Sequence, residues 1–142
     1  MRKLTFLLIP LFFLAAPLVS QGDEQAAVVK PAVYGVLMYA DWCGACKALD
    51  PKINQARKDA NLDNQEVLFL RWDLTNETTQ HQALMMASAL GLSDVYAANA
   101  GKTGFMLLLD AESGKRLAML TVKQDSEEIA SEIKNSIKTA NS

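Results

Sequence analysis

From Val33 onward the chain alternates short, uncharged apolar runs with longer stretches in which apolar residues recur at three- and four-residue steps. That alternation is the pattern of strands separated by amphipathic helices. Val33 to Tyr39 (Val-Tyr-Gly-Val-Leu-Met-Tyr) has the length of a strand and carries no charge, as a strand buried on both faces does. From Cys43 to Ala60, the steps Leu49, Ile53, Ala56 and Ala60 predict a helix. The pattern continues past Pro51, so the proline should kink this helix rather than end it. After a polar break at 61–65, Val67 to Trp72 predicts a second strand of the buried type. Residues 78–90 predict a helix with Leu84, Ala87 and Leu90 on one stripe and Gly91 as its stop.

The remainder reads in the same way. Phe105 to Leu109 is a third apolar strand, the turn Asp110-Ala111-Glu112-Ser113-Gly114 reverses the chain, and 115–122 returns antiparallel to it. Residues 125–138 form the clearest helix, with Ile129, Ile133 and Ile137 on one stripe. Asp125 caps it, and Glu128 completes a capping box. The order β-α-β-α-β-β-α predicts an α/β fold with a central four-stranded mixed sheet flanked by helices. The connection 92–104 is long for such a domain, so it is either a functional loop or a short extra helix around Val95 to Ala98.

The amino end departs from this pattern. Arg2 and Lys3 precede a charge-free stretch from Leu4 to Leu18, with small residues at Ser20 and Gly22. A basic head, an apolar run and a small-residue exit predict a secretory leader over residues 1–22. The apolar run is short for a membrane span and contains Pro10 and Pro17, so no stable membrane insertion is expected once the leader is cut. One domain then occupies 23–142, with a polar lead-in and a short helix near Asp23 to Val29. The 142 residues carry 14 basic and 16 acidic side chains, a net charge of -2. Removing Arg2 and Lys3 leaves 12 against 16, or -4. With no basic block or arm, nucleic acid is not an expected partner. One histidine and two cysteines cannot build a four-ligand zinc site or a multi-disulfide scaffold. No metal and no cofactor is expected.

The two cysteines lie in Trp42-Cys43-Gly44-Ala45-Cys46, directly after a predicted buried strand and at the start of a predicted helix. A helix amino terminus offers unpaired N–H groups and a positive dipole end, both of which favour a thiolate. Cys43, first in the turn, is therefore expected to be an exposed nucleophile of lowered pKa. Cys46, three residues on, reaches the same helix end and can resolve a mixed disulfide formed at Cys43. Gly44 and Ala45 keep the intervening surface small, and Trp42 offers an apolar shoulder.

Tyr39-Ala40-Asp41-Trp42-Cys43-Gly44-Ala45-Cys46-Lys47, with Pro51 beyond it, resembles the active-site segment of the thioredoxin superfamily. It is especially similar to the C-terminal thioredoxin-like domain of the bacterial transmembrane thiol reductase DsbD. The resemblance spans about 33–138 and implies a thioredoxin-like fold, Cys43 attacking and Cys46 resolving. It further implies an exported, periplasmic thiol–disulfide oxidoreductase, working in the reducing direction on protein disulfides or thiols. A redox partner would recycle the pair. Two departures stand out. The family's buried aspartate and its partner lysine fall at Leu37 and Phe69, both apolar here. The cis-proline that usually faces the cysteines is replaced by Lys102-Thr103-Gly104-Phe105, so a trans loop is expected, with Thr103 or Gly104 in the facing position.

Other candidates have plainer readings. His81 is expected to be exposed or structural, and the methionines, Met85 and Met86 included, to fill core space. Gly101-Lys102-Thr103-Gly104 lacks the upstream glycine and the following helix of a phosphate loop. The alternative function is a thioredoxin-like binding module or copper carrier that uses the same cysteine pair.

Overall fold

The computed structural model describes residues 30–64 and 66–142. The leader expected at 1–22 and the short helix near 23–29 lie outside the described residues. The elements are β1 (Val33–Tyr39), α1 (Gly44–Asp59), a 3-10 turn (Leu62–Asn64), β2 (Val67–Asp73), α2 (Glu77–Ala89), α3 (Ser93–Ala98), β3 (Phe105–Asp110), β4 (Arg116–Thr121) and α4 (Ser126–Ala140). The strands form one mixed sheet in the order β2-β1-β3-β4. β1 is parallel to β2 and antiparallel to β3, and β3 and β4 form the antiparallel hairpin.

β1 and β3 lie at the centre of the sheet, and their side chains alternate between two cores. Val33 and Leu37 of β1 join Met106 and Leu108 of β3 beneath α1 and α4, against Leu49, Ile53, Ile129 and Ile133. Val36 and Met38 join Leu107 and Leu109 on the opposite face, against Trp72 and the alanines of α2. A strand covered on both faces and paired at both edges can be apolar throughout, which is how these two runs read. Pro51 lies inside α1, which continues to Asp59. The capping box of Asp125 and Glu128 forms as expected, and a second one, Asn76 with Thr79, starts α2.

Three expectations need correction, and one choice between alternatives is decided. β2 is not buried on both sides: among the described residues it lies at the edge of the sheet, with Val67 and Trp72 buried but Leu68 exposed and Phe69 and Leu70 half-covered. Its apolar run carries no information about whether a neighbour lies beyond it. The buried stripe of α2 is Ala83 and Ala87, Leu90 is half-buried, and Leu84 points outward at 39% exposure. Two alanines let the helix lie close to β2, which rotates the leucine away. Met38 and Met106 fill core space, but Met85, Met86 and Met119 are exposed. Finally, the 92–104 connection contains α3, whose Tyr96 ring meets Trp72 edge-on, centroids 5.5 Å apart, while its hydroxyl donates to the Gln80 carbonyl at 3.0 Å. The short-helix option for this segment is the one observed.

These placements predict opposite costs for two truncations. Ile133→Ala empties part of a closed core and should lower unfolding free energy by about 2–5 kcal/mol. Met85→Ala, on an exposed face, should change it by less than about 0.5 kcal/mol. Urea denaturation of both variants checks the pair, and equal losses would contradict the assignment of faces.

Candidate active site

β1 ends against the start of α1 in a tight turn. The Cys43 N–H donates to the Ala40 carbonyl at 3.0 Å, which makes Cys43 the cap residue of α1 in an extended conformation. Its Sγ accepts the Cys46 N–H at 3.1 Å, in the position where a serine or aspartate oxygen caps other helices. Cys43 and Cys46 are joined as a disulfide, with their Cα atoms 5.3 Å apart. The Cys46 Sγ lies 3.5 Å from the Met38 carbonyl oxygen.

Exposure differs from the expectation in degree. Cys43 is 7% exposed and Cys46 not at all, so the predicted nucleophile is the more accessible of the two but is nearly covered. The turn on one side and the 102–105 loop on the other close over it. Around it Asp41, Trp42, Gly44 and Ala45 are exposed, Trp42 at 65%. A Cβ added to Gly44 would meet nothing within 4 Å, so its surroundings are open.

The facing position belongs to Gly104, not Thr103. A Cβ at Gly104 would sit 3.6 Å from the Cys43 Sγ and 2.9 Å from the Ala45 Cβ. Thr103 precedes it in the loop, half-buried. Gly104 has φ +93, a value that L side chains rarely adopt and that excludes proline. Its N–H donates to the Met38 carbonyl at 3.0 Å. No cis peptide bond occurs among the described residues, as expected for this loop.

Leu37 is buried and shares a core with half-buried Phe69, so both positions are hydrocarbon, as their residue types imply. Charge appears instead at the rim. Arg71, which pairs across from Leu37 in the parallel ladder, bonds Asp50 at 2.7 Å and stacks its guanidinium 4.4 Å from the Tyr39 ring centre. Tyr39 is raised above its ordinary pKa, first by its hydrogen bond to Asp41 and then by burial.

Sequence reasoning missed Thr75. Its hydroxyl accepts the Asp41 N–H at 3.0 Å, and its carbonyl accepts the Trp42 indole N–H at 3.3 Å. The Thr75 N–H in turn donates to Asp73 at 2.8 Å. Burial pushes the Asp73 carboxyl up, but bonds from the Thr75 hydroxyl and N–H and from Thr79, with the Arg71 charge, outweigh it and hold the pKa below its ordinary value. His81 is exposed on α2. Among the described residues, no group of three or more His, Cys, Asp and Glu is arranged to hold a metal ion.

The thioredoxin family profile matches residues 19–89, half of the chain. A thiol:disulfide interchange protein, thioredoxin family protein from Chlorobium tepidum TLS aligns at 17% identity over 77% of this chain and 82% of its own, with a TM-score of 0.52. The N21Q mutant thioredoxin from Halobacterium salinarum NRC-1 aligns at 19% identity over 77% and 78%, with a TM-score of 0.46. The oxidised thioredoxin from Plasmodium falciparum aligns at 15% over 80% and 86%, with a TM-score of 0.43. No curated protein matches.

Two outcomes follow from this geometry. Gly104→Ala forces a side chain into a positive-φ site against Ala45 and should cost about 1–3 kcal/mol in denaturant unfolding of the oxidised protein. An alanine variant as stable as the parent would contradict the close approach. Because the folded-state pKa of Asp73 is depressed, its stabilising effect is present above its ordinary value of 3.8 and is lost as pH falls through the lower folded value. The stability gap between the parent and Asp73→Asn should therefore close in acid, and a gap independent of pH would refute the assignment.

Proposed function

The chain belongs to the thioredoxin family, and from that premise we propose that it is an exported thiol–disulfide oxidoreductase reducing protein disulfides in the periplasm. One observation carries the reading: Cys43 caps α1 with its sulfur on the Cys46 N–H and shares a disulfide with Cys46. In the reduced pair, that N–H and the helix amino terminus favour a thiolate at Cys43. The Met38 carbonyl, 3.5 Å from Cys46, offers the second thiol an acceptor for its proton. The two sulfurs thereby meet different backbone partners, an N–H at Cys43 and a carbonyl at Cys46.

The cycle follows from that difference. The Cys43 thiolate attacks one sulfur of a partner disulfide, a mixed disulfide forms, and the partner's other sulfur leaves as a thiolate that takes up a proton. Cys46 gives up its proton and attacks the Cys43 sulfur. The Cys43–Cys46 bond forms, the mixed bond breaks, and the partner leaves with two thiols, having gained two electrons. With Leu37 and Phe69 apolar, the Cys46 proton passes to the departing thiolate or to water rather than to a buried carboxylate. A second protein dithiol must return two electrons to restart the cycle, one of its two protons re-forming the Cys46 thiol and the other passing to solvent. The reducing direction rests on the likeness of the 39–51 segment to the DsbD reductase domain, and export on the basic head and apolar run of residues 1–22.

Cys46→Ser, expressed from the full sequence, should accumulate mixed disulfides with periplasmic proteins through Cys43, on a chain beginning at residue 21 or 23. Cys43→Ser should trap little. Mass-resolved thiol trapping reads both, and a redox titration of the parent should give a potential above about -300 mV, outside the range of structural disulfides. Equal trapping by the two variants, or stoichiometric metal retention by a pair that does not cycle, would overturn the reading in favour of a binding module.

A further inference from the structure

Trp42 is a large apolar ring, 65% exposed, beside a sulfur that is nearly covered. A free indole in that position would sample several rotamers and would have to be ordered each time a partner docked. Here it is tied. The indole N–H donates to the Thr75 carbonyl at 3.3 Å, and the preceding peptide is held by the Asp41 N–H bond to the Thr75 hydroxyl at 3.0 Å. One residue thus grips two consecutive residues of the redox turn, from more than thirty positions away in the chain.

The grip is itself braced. The Thr75 N–H donates to Asp73 at 2.8 Å, which holds the peptide that carries the hydroxyl. On the preceding residue, the Leu74 N–H donates to the Tyr39 carbonyl at 2.7 Å and the Leu74 carbonyl accepts Gln80 Nε2 at 3.2 Å. On the following residue, the Asn76–Thr79 capping box fixes the start of α2. Backbone held on both sides of Thr75 makes its two acceptors fixed points rather than mobile ones.

We propose that Thr75 is a positioning residue for the redox site, holding the Trp42 ring as a preset shoulder that polypeptide chains flanking a disulfide pack against. The inference rests on the thiol–disulfide reading and adds a residue to its site: Thr75, which acts through the turn that carries Trp42. A rigid aromatic surface lowers the ordering cost for a partner large enough to cover it, whereas a small disulfide needs only the Cys43 sulfur.

The test compares Thr75→Val, which keeps the shape and loses the hydroxyl, with Thr75→Ser, which restores it. Each is made in the parent and in a Trp42→Phe background. With insulin as the polypeptide disulfide, Thr75→Val should raise KM about three- to ten-fold, the scale of one hydrogen bond, with kcat changed less. Thr75→Ser should return KM to near the parent value, and KM for oxidised glutathione should move less than KM for insulin. In the Trp42→Phe background the valine should add little, because the Thr75 hydroxyl, by holding the Asp41 peptide, acts on partners only through the placement of the Trp42 ring. By proton NMR, the Trp42 indole N–H should exchange with solvent faster in Thr75→Val. An unchanged insulin KM, an equal effect without Trp42, or an unchanged exchange rate would each overturn the proposal. A parent protein that reduces neither disulfide would instead sink the oxidoreductase reading, and the exchange comparison would then decide the placement of Trp42 alone.

Discussion

Three consecutive carbonyls at the carboxyl end of β1 hold the redox end of the molecule together. The Met38 carbonyl accepts the Gly104 N–H at 3.0 Å and lies 3.5 Å from the Cys46 sulfur. The Tyr39 carbonyl accepts the Leu74 N–H at 2.7 Å, and the Ala40 carbonyl accepts the Cys43 N–H at 3.0 Å. The facing loop, the entry to α2 and the active-site turn are thus tied to successive residues, the last two of β1 and Ala40 directly after it. Backbone acceptors leaving a sheet need partners, and here the partners are the segments that build the site.

That arrangement needs β1 in one register. A slip by a single residue would exchange Leu37 and Met38 between faces and turn the carbonyls away from their donors. The two cores prevent it, because Val33 and Leu37 fill one side and Val36 and Met38 the other, all of them buried. Close approaches then set local limits. A Cβ at Gly35 would press on Phe69 at 3.2 Å, and one at Gly104 would meet Ala45 at 2.9 Å. Core packing therefore determines the position of the sulfur atoms of Cys43 and Cys46, the two buried residues that form the disulfide.

Electrostatic control of the pair is correspondingly local. With hydrocarbon at Leu37 and Phe69, no charged side chain among the described residues is buried, and the Asp50–Arg71 pair at the rim is partly open to water, where such pairs contribute little. What distinguishes the two sulfurs is the backbone: an N–H aimed at Cys43 and a carbonyl beside Cys46. Both groups are fixed by the fold and neither titrates.

The sequence by itself determined whatever is encoded within a few neighbouring residues. The order of elements, the Asp125–Glu128 cap, the hairpin and the placement of Cys43 and Cys46 at a helix start all follow from short-range periodicity and spacing, and all are observed. Tertiary structure decided the rest. Among the described residues no strand pairs beyond β2, and Ala83 rather than Leu84 is buried because α2 lies close against β2. The choice of Gly104 over Thr103 depends on Ala45, some sixty residues earlier, and the grip of Thr75 on Trp42 on the crossover between β1 and β2. Local patterns report what one segment prefers, but which segment it meets is settled only when the whole sheet closes its two cores.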